Sequence, residues 1–154
     1  MIRDIYHNMA IAHLLDSKDI VNHTDVGSDY VDLQGFEAAL FKVNFGTVTN
    51  TDANNKVIPV LQVCDALPNL DASWADAATA DIQGAFAAVL SAATDQLTQR
   101  VGYIGTKRYA RVKLDFTSAG ANPDHCPVSI DAILMSIRHG PEYSATLTTG
   151  TSTG

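Results

Sequence analysis

Cysteine, glutamate, tryptophan and long apolar runs are all scarce in this chain. The two cysteines, Cys64 and Cys126, are too few for a disulfide framework and match no CxxC metal spacing, so they are expected as buried or half-buried thiols. Glutamate occurs only at Glu37 and Glu142, and the aspartates fall mostly in loop-like stretches, so no paired-carboxylate acid–base set emerges. No GxSxG is present, and Cys126 beside His125 is a sequence neighbour rather than a poised nucleophile and base. The reading is of a protein that is not an enzyme. No apolar run approaches the roughly 20 residues that span a bilayer. The opening Met1–His7 carries Asp4 where a basic n-region would sit, so neither membrane nor secretion is expected and the chain is read as made soluble in the cytoplasm.

Metal and phosphate signatures are missing too. The five histidines are His7, His13, His23, His125 and His139, and the first three lie 6 and 10 apart, not at the i, i+4 spacing of a helical metal site. They read as solvated surface groups. Asp52, Asn54 and Asn55 lack the glycine and terminal glutamate of a calcium loop and read as a polar hairpin turn. Gly102–Arg108 lacks the GxxxxGK[ST] spacing and precedes a strand, so its glycines are read as a turn that needs positive φ or close backbone approach. No cofactor is expected.

What is there is enough for one domain with one core: 154 residues, 46% of them hydrophobic. The formal net charge of -7 argues against broad nucleic-acid binding, which needs clustered positive charge. That charge is unevenly placed. Residues 1–99 hold 4 basic and 13 acidic side chains, a balance of -9, and residues 100–154 hold 6 and 4, a balance of +2. Arg100, Lys107, Arg108, Arg111 and Lys113 supply half of the cations. Two readings stay open: a solvated strand face with cross-strand ion pairs, or a basic patch that docks on an acidic partner.

Period-2 patterning dominates. Tyr30–Leu33 alternates, Phe36–Phe45 places Phe41, Val43 and Phe45 on one face, and Val57–Cys64 reads as a strand whose Pro59 demands an edge or a bulge. Arg108–Phe116 puts Ala110, Val112, Leu114 and Phe116 inward and Tyr109, Arg111, Lys113 and Asp115 outward. Val128–Ile137 is apolar on both faces apart from Ser129, Asp131 and Ser136 and is expected to be central; His139-Gly140-Pro141 ends it. Residues 1–26 read as a short helix or extended arm. The alanine-rich stretch after Trp74 suggests a strand over 81–86 and a helical turn over 87–93. These signals predict an all-β fold: an antiparallel, jelly-roll-like β-sandwich with extended terminal arms and at most a short helix. The boundaries are an arm at 1–27, a sandwich at 28–141 and a flexible tail at 142–154.

The run Gly102-Tyr103-Ile104-Gly105-Thr106-Lys107-Arg108-Tyr109-Ala110-Arg111-Val112 resembles a GYxGxKRYxRV stretch of small structural proteins encoded among the head genes of tailed bacteriophages. The strand Ala132–Ile137 with its Arg138–Pro141 ending, the strand Phe41–Gly46 and the Trp74 region are similar as well, over about residues 36–141. The resemblance implies a jelly-roll decoration, or cement, protein on the outside of the virion capsid. Such a protein stabilises contacts between capsomers by binding the major capsid protein lattice as a dimer or trimer. Within it, Lys107, Arg108, Tyr109, Arg111 and Lys113 form the expected docking face, and Tyr6, Met9 and Leu14 mark the docking arm. A charge reversal at Arg111 is then expected to weaken assembly more than one at Lys18. The alternatives are a head–tail connector or tail component, and a carbohydrate-binding module with Trp74, Tyr103 and Tyr109 as its platform.

Overall fold

A computed structural model describes residues 8–20, 25–49, 51–52, 54–66, 73–89, 97–117, 125–137 and 149–150, with backbone only at 136, 137, 149 and 150. Its strands are β1 (Met9–Ile20), β2 (Val26–Gly27), β3 (Tyr30–Asp32), β4 (Phe36–Phe45), β5 (Lys56–Cys64), β6 (Ala75–Asp76), β7 (Ile82–Gln83), β8 (Thr98–Tyr103), β9 (Tyr109–Thr117), β10 (Cys126–Ile137) and β11 (Thr149–Gly150). Two antiparallel sheets result. Sheet A runs β1-β10-β4-β8-β7 and sheet B runs β11-β3-β9-β5-β6, with β2 pairing β9 at the side.

Dropping the two-residue strands β2, β6, β7 and β11 leaves seven strands, which in chain order read 1-7-3-5 in one sheet and 2-6-4 in the other. Consecutive strands thus alternate between the two sheets, a jelly-roll-like interleaving. The all-β sandwich expected from the sequence is therefore the observed fold. Its core lies between the sheets, where Phe41, Val43, Ile130 and Leu134 of sheet A meet Val31, Val57, Val112 and Leu114 of sheet B.

Local patterning places most of these strands. In β4, burial alternates from Ala39 through Phe41 and Val43 to Phe45. Strand β10 sits between β1 and β4, as its two-faced apolarity suggested. Pro59 lies on β5 opposite Leu114 of β9. The carbonyls of Val57 and Leu61 accept hydrogen bonds from Val89 and Ala77, on the side away from β9. Pro59 shares their parity, so the N–H it lacks would point away from β9 and the ladder loses nothing. Gly35 has φ of 92° in the turn closed by the Phe36 N–H to the Leu33 carbonyl at 3.1 Å, the positive-φ place of a type II turn.

Five expectations need correction. Residues 9–20 are extended but are no free arm: they form β1, paired with β10 from Met9–Met135 to Ile20–Cys126. In the tail, Thr149 and Gly150 pair with Val31 and Tyr30, while the other residues after 137 lie outside the described set. No helical turn begins at 87, because Val89 bridges Val57 in extended form and the alanine-rich stretch gives only a 3-10 turn, Thr79–Asp81, and the short β7. Residues 90–96 are not described. Asp52, Asn54 and Asn55 do not make a hairpin turn, since β4 and β5 belong to different sheets. Asp52 still organises a polar turn there, accepting from the N–H groups of Asn54 (2.7 Å) and Asn55 (2.8 Å). Finally, Gly102 is part of β8, and the turn starts at Ile104.

Candidate functional site

Lys107 and Arg108 lie in the β8–β9 turn, and Tyr109, Arg111 and Lys113 point from β9 to the outer side of sheet B. Each cation has a partner. Lys107 pairs with Asp65. Arg108 forks onto Asp32, at 3.1 Å from Nε and 2.8 Å from Nη2, with its guanidinium 5.0 Å from the centre of the Tyr109 ring. Lys113 reaches Asp25 at 2.6 Å. That hydrogen bond raises the Lys113 pKa. Burial pushes the Asp25 carboxyl up, but bonds from Lys113 and the Phe116 N–H outweigh it and leave Asp25 below its ordinary value. The cross-strand ion-pair reading holds for these residues.

Arg111 and Tyr109 depart from the outward, solvated pattern. Arg111 is only 3% exposed and Tyr109 only 5%. They do lie on the outward side of the strand, but that side is covered. Trp74 lays its ring 4.6 Å from the Arg111 guanidinium, and Tyr30 packs on both Trp74 (6.1 Å) and Tyr109 (5.7 Å, edge-on). Together with Cys64 these aromatics form a second small core outside sheet B. Arg111 donates through Nε and Nη2 to the Gln62 Oε1 at 3.1 and 3.0 Å, and Gln62 donates in turn to Asp76 at 3.1 Å. Gly27 makes room for it, since a Cβ there would come within 2.6 Å of the guanidinium. Arg111 is a structural residue, and reversing its charge would disturb the fold before any docking.

The remaining sequence candidates scatter. Leu14 is 1% exposed and belongs to the core, Met9 is half-buried on β1, and Tyr6 lies outside the described residues. Trp74, Tyr103 and Tyr109 are 9%, 2% and 5% exposed, so they offer no stacking platform to a sugar. Gly105 fulfils the close-approach expectation: a side chain there would collide with the Tyr103 ring, whose hydroxyl accepts the Lys107 N–H at 3.1 Å. Both cysteines are free and buried, and burial pushes the Cys126 thiol up to about 12. His13 and His125 are half-exposed yet bonded, His13 to Asp131 and His125 to Asp19, each at 2.5 Å. Among the described residues no group of three or more His, Cys, Asp or Glu is placed to hold a metal ion, and no helix is long and apolar enough to cross a membrane.

Two further surfaces emerge. A cleft of about 420 Å³ lies between the Gly35 turn and the 104–108 turn, with Glu37, Ile104 and Lys107 on its walls. Its cations, Lys107 and Arg108, are those already held by Asp65 and Asp32. The outer face of sheet A is different. Register places Met9 beside Met135 and Ala38, then Ile11 beside Ile133 and Leu40, then His13 beside Asp131, Lys42 and Arg100. The three large apolar side chains exposed among the described residues are Ile11 (61%), Ile104 (49%) and Met135 (36%). The first and third lie in these rows, and Ile104, directly after Tyr103, shares the cleft wall with Ala38. No described element covers this face. The sequence signal for this face is the two-faced apolarity of β10, which points to centrality as readily as to an exposed face.

No protein-family model, curated protein or solved structure matches the chain.

Proposed function

We propose that this is a non-enzymatic virion structural protein that decorates the outside of a phage capsid and stabilises contacts between capsomers. The observation that carries the reading is the jelly-roll-like alternation of the seven longer strands between two sheets, an architecture that viral capsid domains share with lectins. The Gly102–Val112 run, with its resemblance to phage head proteins, points the same way. Lectin-like use is disfavoured by the burial of all three aromatics that would make a platform. Many copies on a symmetric shell would add modest contacts into stable binding through avidity, and the chain would act there as a dimer or trimer without a cofactor.

The test is copy number and consequence. Quantitative mass spectrometry of purified particles should find hundreds of copies per particle, and heads lacking the protein should lose stability to heat or chelation. About a dozen copies or fewer would assign it instead to a head–tail connector or the tail. Absence from particles would refute the virion reading.

A further inference from the structure

We infer that the outer face of sheet A, and not the basic strand of sheet B, docks on a protein surface whose apolar side chains are flanked by carboxylates; naming that surface as the capsid rests on the function proposed above. The first ground is exposed apolar area. Ile11 stands 61% exposed next to Ile133 and Leu40 in one cross-strand row, with Met135 in the row beside it. The neighbouring positions Ala12, Ala132 and Phe41 are fully buried, so the alternation of the strands leaves these residues nowhere to go but outward. Contiguous apolar surface rimmed by polar groups is the usual composition of an interface centre.

The second ground is charge. Lys42 and Arg100 are directly opposite each other across β4 and β8. Like charges in that position repel. The other neighbour of Lys42 is Asp131, whose carboxylate is bonded to His13. Among the described residues neither Lys42 nor Arg100 has an ion-pair partner within 4.0 Å, whereas Lys107, Arg108 and Lys113 on the other sheet each have one. Two cations with no carboxylate within 4.0 Å among the described residues, bordering an apolar patch, are complementary to an acidic, apolar partner. A second copy of this chain meeting the same face would bring the same two cations against itself.

The experiment is co-sedimentation of the full chain with expanded heads assembled without it, across a salt series. Three variants are compared: Ile11→Asp, the double change Lys42→Glu/Arg100→Glu, and Lys113→Gln as the sheet B control. The expected result is binding about tenfold weaker or worse for the first two, and within about twofold of wild type for the third. The double variant should also lose the salt dependence that the wild type shows. Two independent variants, one at the exposed Ile11 and one at the exposed Arg100 with the half-buried Lys42, separate lost contact from lost fold. Wild-type binding with both sheet A variants unimpaired would overturn this inference and leave the decoration role standing. No wild-type binding at any salt would overturn that role and the capsid partner with it. Binding retained by Ile11→Asp together with a drop in oligomer size would make this face a contact between copies, and would equally overturn the inference.

Discussion

The two outer faces of the sandwich use the same alternation of strand residues to opposite ends. On sheet B the outward side chains of β9 are occupied within the molecule: Arg111 lies under Trp74, and Lys113 lies against Asp25. On sheet A the outward side chains of β1, β10 and β4 are left open, and Lys42 and Arg100 there have no ion pair within 4.0 Å among the described residues. The face richer in positive charge by sequence is thus the one whose lysines and Arg108 are paired within the molecule. Asp65, Asp32 and Asp25, all from the acidic first part of the chain, reach across to Lys107, Arg108 and Lys113. These three pairs within the molecule account for part of the split of -9 and +2 along the sequence, leaving -6 and -1 once they are set aside. Charge counted along a chain says little about surface potential until the partners of each charge are known.

If sheet B's face is structural and sheet A's is not, mutations should sort by stability in that order. Arg111→Glu should cost the most, roughly 3–5 kcal/mol, because it sets an anion against the Gln62 carbonyl and the Trp74 ring. Urea denaturation measures it, and a loss under about 1 kcal/mol would erase the contrast between the faces. Trp74→Ala should cost about 3 kcal/mol by uncovering Tyr30, Tyr109 and Arg111, read as a lowered midpoint in the same titration. Lys113→Ala should cost less than about 1 kcal/mol, since the pair is partly exposed and screened. The smallest stability change, within about 0.5 kcal/mol, is expected for Ile11→Asp, which removes no buried contact.

The edge strand adds a pH-dependent difference. The hydrogen bond to Asp131 raises the His13 pKa above its ordinary 6.5. A raised folded-state pKa means that the protonated tie between β1 and β10 contributes fully below about pH 6.5 and fades as pH climbs through the higher folded value. Melting temperature should therefore fall more steeply between about pH 6 and 8 in the wild type than in His13→Gln. Parallel pH profiles for the two proteins would show that the tie contributes nothing to stability.

How much of this was legible in the sequence depends on which interactions set each element. Strands β4, β5 and β9 follow local period-2 patterns, and they were readable within a residue or two. Strand β1 was not. Its alternation is broken by register shifts between His13 and Leu15 and between Leu15 and Lys18, and its partner strand lies far along the chain, with His13 and Asp131 separated by 118 positions. Helix propensity misled at 75–89, where ladder bonds from Val89 to Val57 and from Ala77 to Leu61 hold an alanine-rich stretch extended. At Arg111 the side of the strand was legible but its cover was not, because Trp74 arrives there from a segment 37 positions earlier. Nothing local in either sequence says that they meet. The sheet A face left a trace, the outward Ile133 and Met135 of a strand apolar on both sides, which centrality in the sheet alone does not explain.

The most direct measurement is an electron-microscopy map of heads carrying the bound protein. Ile11, Leu40, Lys42 and Arg100 should lie against the shell, with Trp74 and Lys113 turned away from it. A map with sheet B against the shell and Ile11 in solvent would contradict the assignment of the two faces.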